Sequence, residues 1–113
     1  MTDLDPGTVV SALTVTVPLD AVPAAQIVSG APRTGSLDLD EDLGIGVWEM
    51  TPGAMRDTEI DEVFVVLTGE ATVEFIEPAL PAVELRPGSL MSLTSGMRTI
   101  WTVRETLRKI YLV

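Results

Sequence analysis

Glu62 stands at the head of an apolar run, Val63 to Leu67, within the stretch DEVFVVLTGEATV. Side chains alternate along an extended strand, so Glu62, Phe64 and Val66 share one face and Val63, Val65 and Leu67 the other. Both faces are apolar, which implies a strand covered on both sides. A carboxylate there lies either at the exposed end of the strand or inside a cavity. A carboxyl group held in a cavity loses hydration, its pKa rises, and it can exchange protons near neutral pH. Thr68-Gly69-Glu70 reads as a two-residue hairpin turn, with glycine supplying the positive φ, and a second alternating run follows from Ala71.

Composition removes most other chemistry. The 113 residues contain no cysteine and no histidine. Disulfides, zinc–thiolate sites and cysteine nucleophiles are excluded, as are Ser-His-Asp and Cys-His catalysis within this chain. The commonest general base and the commonest metal ligand are missing too. The acidic stretch Asp38 to Asp42 lacks the ligand spacing and the glycine of a calcium loop, and reads as a solvated turn. A formal charge of −10 argues against nucleic acid and against anionic membrane surfaces. The charge is uneven: residues 1–62 hold twelve acids and two arginines, whereas residues 63–113 hold five of each sign. Arg98, Arg104, Arg108 and Lys109 crowd the last sixteen positions, where they could meet an anionic ligand. With no signal sequence and no apolar run near eighteen residues, a soluble cytoplasmic protein is expected.

The elements that must position these groups are short strands. Residues 1–8 read as a flexible leader, and residues 9–113 as one domain of common size. Val9 to Val17 reads as a strand, Gln26 to Ser29 as a short edge strand, and residues 30–35 as turn chemistry. Ile45 to Met50 is a further strand, and residues 54–61 an irregular charged loop. Val83 to Leu85, Leu90 to Leu93, Thr99 to Val103 and Leu107 to Val113 complete the set. Proline and glycine total seventeen, so no helical period survives and the class is all-β, a sandwich or barrel.

Several motifs stand in order: Gly46-Val47-Trp48-Glu49 with Pro52-Gly53, then Glu62 followed after six residues by Gly69. Pro87-Gly88, Gly96, Trp101, and Arg108-Lys109 with Tyr111 come after them. With these the chain resembles a small single-domain cupin, and more narrowly the subfamily of the ureidoglycine aminohydrolase cupin domain. The resemblance implies a double-stranded β-helix, a jelly-roll barrel with a pocket at one end. Metal-binding cupins carry two histidines before the motif glutamate and a third after the second motif. Here those places fall near Arg56 and Thr58 and on Thr99, so no metal and no other cofactor is expected.

The same resemblance turns Glu62, Phe64, Thr99 and Trp101 inward and brings Lys109 and Tyr111 near them, with Arg56 or Lys109 as the cation for Glu62. Such a pocket implies a small polar or anionic ligand, its apolar face against the rings. Acid–base work would fall to Glu62, Lys109 or Tyr111. Two functions are compatible with it: a metal-free binding protein, or a metal-independent enzyme, aminohydrolase- or isomerase-like, that uses Glu62 and Lys109. A purely structural module is the third. The apolar N-terminal run and the open sheet edges lead to an expected homodimer.

Overall fold

The computed structural model describes residues 4–113. The chain forms β1 (Asp20–Ala21), a 3-10 turn (Ala24–Gln26), β2 (Ile27–Ser29), β3 (Arg33–Asp40), β4 (Ile45–Met50) and β5 (Gly53–Thr58). It continues with β6 (Glu62–Glu77), β7 (Leu80–Leu85), β8 (Leu90–Leu93) and β9 (Arg98–Leu112).

β6 and β9 carry the architecture. They pair antiparallel along nearly their whole length, from Val63 opposite Leu112 to Glu77 opposite Arg98. The other edge of β9 pairs β5 through its first part and β4 through its second. The other edge of β6 pairs β8 at its start and β7 further on. Two half-sheets result, β1-β3-β4-β9-β6-β8 and β2-β5-β9-β6-β7, joined by the bent ribbon they share. Met50, Phe64, Leu107 and Tyr111 from the first meet Met55, Val73, Leu85 and Trp101 from the second in one buried cluster. The halves therefore face each other across a single core, the jelly-roll barrel that was expected.

Gly69 makes the bend, and here the expected hairpin is corrected. β6 runs through Gly69 without reversing. Its φ is +95°, and a Cβ would overlap the carbonyl oxygen of Thr106 and come within 2.8 Å of that of Glu105. A hairpin requires the two arms to pair with each other. Here β9 offers its own edge to both arms, so the strand turns a corner and goes on. For the same reason the two strands expected at Thr99 to Val103 and Leu107 to Val113 are one, β9.

Three further expectations are corrected. Of residues 54–61 only the last three are irregular, because β5 pairs its backbone with β9 from Gly53 opposite Val103 to Thr58 opposite Arg98. Asp38 and Asp40 belong to β3 rather than to a surface loop: Leu39 between them is buried, and Asp40 accepts the Leu43 N–H at 3.0 Å. Val9 to Val17 is not a strand. The Val15 N–H turns back to the Ser11 carbonyl, and the Arg108 guanidinium takes the carbonyls of Ala12 and Val15 at 3.0 and 2.7 Å. Carbonyls engaged in this way cannot form a ladder. The segment instead lays Val10, Ala12, Val15 and Val17 over Leu37, Leu39, Val47 and Ile110, the outer face of β3, β4 and β9. Of the leader expected over residues 1–8, residues 1–3 lie outside the described residues, and Leu4 rests on the same apolar patch.

Candidate functional site

Alternation along β9 buries Thr99, Trp101 and Val103, and beyond the bend Leu107, Lys109 and Tyr111. Lys109 lies opposite Trp48 on β4 and Val66 on β6, in the middle of the ribbon. Its Nζ stands 4.2 Å from the ring centre of Phe64, 4.6 Å from Trp48 and 4.8 Å from Trp101, within the reach of a cation–π attraction. The rings also touch one another, with centroids 5.5 Å apart for Trp48 and Trp101 and 5.8 Å for Phe64 and Trp101. Nζ donates to Glu62 Oε2 at 2.6 Å, and the two side chains are only 5% and 12% exposed. A desolvated cation is thus compensated by one carboxylate and three aromatic faces.

A second carboxylate fixes the cage. Glu59 Oε2 accepts the Thr99 hydroxyl at 2.6 Å and the Trp101 indole N–H at 2.9 Å, which pins the ring that covers Lys109. The Glu59 backbone is held in turn, with its N–H on the Met97 carbonyl and its carbonyl accepting the Gly96 N–H.

Asp57 is the third inward carboxyl, opposite Thr99 across the β5–β9 pair. Burial pushes its pKa up to about 6, and the charge of Glu59 adds to the rise. The backbone N–H of Thr58 and the charge of Lys109 oppose it, while Glu62 contributes a smaller rise. An acid held so close to neutrality can exchange a proton under physiological conditions.

Of the residues singled out in the sequence, Glu62, Phe64, Thr99, Trp101 and Lys109 come together inside the barrel. Tyr111 shares the inner face, but its hydroxyl donates to Asp38 Oδ1 at 2.7 Å, and burial with that bond pushes its pKa up to about 12. Arg56 does not join them. Arg56 and Thr58 are exposed, and alternation turns Met55 and Asp57 inward in their place, a shift of one residue from the expected positions. Arg56 is therefore not the partner of Glu62. Trp48 faces the cage, while Glu49 faces outward and binds Arg108 at 2.8 Å. Asp57 and Glu59 were missed. Reading residues 54–61 as a loop hid their i, i+2 spacing, which continues the inward set begun by Met55.

A cavity of about 220 Å³ opens where β5 ends and β9 begins, with Arg56, Asp57, Thr58, Arg98, Thr99 and Ile100 among its walls. The Arg56 guanidinium forms no ion pair or hydrogen bond among the described residues, and that of Arg98 reaches only the exposed Glu77, at 3.9 Å. Also among the described residues, no three His, Cys, Asp or Glu side chains are grouped so as to hold a metal ion.

No curated protein matches the chain. Among solved structures it is similar to a protein of unknown function from Pseudomonas syringae pv. tomato, with a TM-score of 0.75 and 21% identity. The match covers 93% of this chain and 46% of that one, so this chain spans about half its length. It is similar to the EutQ protein of Clostridium difficile, with a TM-score of 0.61 and 23% identity over 82% of this chain and 74% of that one. A protein of unknown function from Acidithiobacillus ferrooxidans gives a TM-score of 0.59 and 24% identity over 85% and 92%. At such identities the likeness speaks for the fold. Residues 38–111, well over half of the chain, match the EutQ-like cupin domain, and the protein belongs to that family.

Proposed function

We propose that this protein is a metal-independent cupin that binds a small polar or anionic metabolite in the cavity between the end of β5 and the start of β9. The supporting observation is the state of two guanidiniums. In a chain of net charge −10, Arg56 and Arg98 line one cavity, and neither is held by a close ion pair. Arg108, Arg104 and Lys109, by contrast, are bound to carboxylates at 2.6–2.8 Å. Uncommitted guanidiniums present paired donors that suit a carboxylate or another oxyanion. At about 220 Å³ the cavity falls below the roughly 300–1,000 Å³ of drug-sized sites, which favours a small metabolite. A homodimer in the cytoplasm is part of the same proposal. Among the described residues, no helix is long and apolar enough to cross a membrane.

The other reading is a metal-independent enzyme, aminohydrolase- or isomerase-like. Glu62 and Lys109 are bound to each other behind three rings, so they support it poorly as acid and base. Asp57 supports it better, being an inward carboxyl whose pKa is pushed up to about 6.

A thermal-shift screen against small metabolites tests both readings, since a ligand at a hundred times its dissociation constant adds about 2.7 kcal/mol. The expected hits are anions that lose their effect in the Arg56→Gln, Arg98→Gln double variant. Hits that survive this change place the ligand elsewhere. Turnover of a hit that stops in Asp57→Asn, with binding kept, selects the enzyme.

A further inference from the structure

Strand register gives the outer wall of the cavity a definite pattern. Arg56 lies opposite Ile100, and Thr58 opposite Arg98. All four belong to the outer face of the β5–β9 pair, because Met55, Asp57, Thr99 and Trp101 alternate inward. The two arginines are therefore diagonal neighbours on one face, rooted about 7–8 Å apart. Guanidiniums at that spacing can converge on the two oxygens of one carboxylate, with the Thr58 hydroxyl as a further donor. Ile100 fills the fourth corner, and Ile76 joins it in the cavity wall. Ile76 sits where the β6–β9 register slips between Phe75 and Glu77, and it is 49% exposed.

Beyond the isoleucines the charge changes sign. On β6, Glu74 lies opposite Ile100 and Glu77 opposite Arg98, and both glutamates are exposed. A ligand anchored at the arginines thus extends across apolar side chains toward carboxylates. A second negative charge at its far end is repelled there, and a heavily hydroxylated body gains nothing from the isoleucines. We infer that the site takes a small monocarboxylate with an apolar body, its carboxylate between Arg56 and Arg98 and its body on Ile76 and Ile100. This rests on the cavity proposed above as the binding site and names the class of ligand it selects. Every contact it uses lies on the outer face.

Propionate, pentanoate, glutarate and inorganic phosphate are the probes, titrated at pH 7 and fixed ionic strength with backbone amide shifts as the readout. Pentanoate adds two methylenes to propionate, and glutarate replaces the pentanoate methyl with a second carboxylate. The proteins are the unmodified chain, Arg56→Gln, Arg98→Gln and Ile76→Thr, Ile100→Thr, the last keeping β-branched residues in both strands. Pentanoate is expected to bind about fivefold more tightly than propionate, for two methylenes roughly half covered by the isoleucines. Glutarate should bind more weakly than pentanoate, although plain attraction to two arginines would favour its extra charge. The double isoleucine variant should erase the gain of pentanoate over propionate and keep propionate binding. The double arginine variant should bind none of the four. Glutarate or phosphate ahead of pentanoate, or equal binding of propionate and pentanoate, overturns the inference and keeps the cavity if the arginine variant loses the binding. A gain for pentanoate that survives in the isoleucine variant also overturns it. No binding of any probe, or binding indifferent to the arginines, overturns the cavity reading and this inference with it. The ranking of the four probes on the unmodified protein decides the matter even if a variant folds poorly.

Discussion

Lys109 Nζ and Glu62 Oε2 lie 2.6 Å apart, and Trp48, Phe64 and Trp101 close around the cation. Glu62→Gln removes the counter-charge and leaves a buried ammonium, at a cost of about 3–5 kcal/mol. Lys109→Met leaves a buried carboxylate at similar cost, while the double variant restores most of the loss. Chemical denaturation of the four proteins measures the coupling. Additive single effects would show that the pair is solvated.

Gly69→Ala should be among the most damaging single changes. The left-handed backbone alone costs a residue with a Cβ about 1–3 kcal/mol, and that Cβ has no room against the Thr106 and Glu105 carbonyls. An unchanged melting temperature would mean that β6 bends elsewhere.

Asp57 makes a signed prediction for stability against pH. Its folded pKa of about 6 lies above the ordinary carboxyl value of 3.8, so between these limits the folded chain keeps a proton that the unfolded chain has lost. Stability from this group is full below about pH 4 and is lost as the pH rises through 6. Asp57→Asn should therefore stabilise the protein by about 1 kcal/mol at pH 8, after allowance for solvent screening, and have little effect near pH 3.5. Paired melting curves at the two pH values check it. A variant less stable at pH 8 would contradict it.

A second copy of the chain is expected on the outer face of β6, β8 and β9. Val63 lies opposite Leu112 there, and Leu90 opposite Val65, with Val63, Leu90, Leu112 and Val113 exposed. These side chains are uncharged, so two chains of net charge −10 can approach there with least repulsion. Sedimentation should give about twice 12.1 kDa, and Leu90→Asp should return the mass to one chain. A single-chain mass for the unmodified protein at micromolar concentration would remove this expectation.

The sequence makes the inner face of β6 legible because Glu62, Phe64 and Val66 alternate without interruption. It does not reveal the corner at Gly69. Positive φ serves a hairpin and a bend equally, and only the distant edge of β9 decides between them. Residues 54–58 looked irregular for a related reason: Arg56 points out and Asp57 in, but the partner that makes them a strand lies some forty positions away. Val9 to Val17 has strand-forming side chains, yet the Arg108 guanidinium claims its carbonyls. Trp48 was ambiguous until the register placed it beside Lys109. Local pattern thus identified faces, while long-range pairing determined which elements exist.

The shared role of β9 imposes an order on biosynthesis. β4, β5 and β6 all precede it in the chain, and each takes it as a neighbour. Until β9 emerges from the ribosome, these three strands expose unpaired edges, and the lysine that fills the aromatic cage has not yet been added. Neither half of the barrel can close before β9 is made, so the domain folds only once that strand is available. Until then its apolar strands stay open to aggregation and to chaperones.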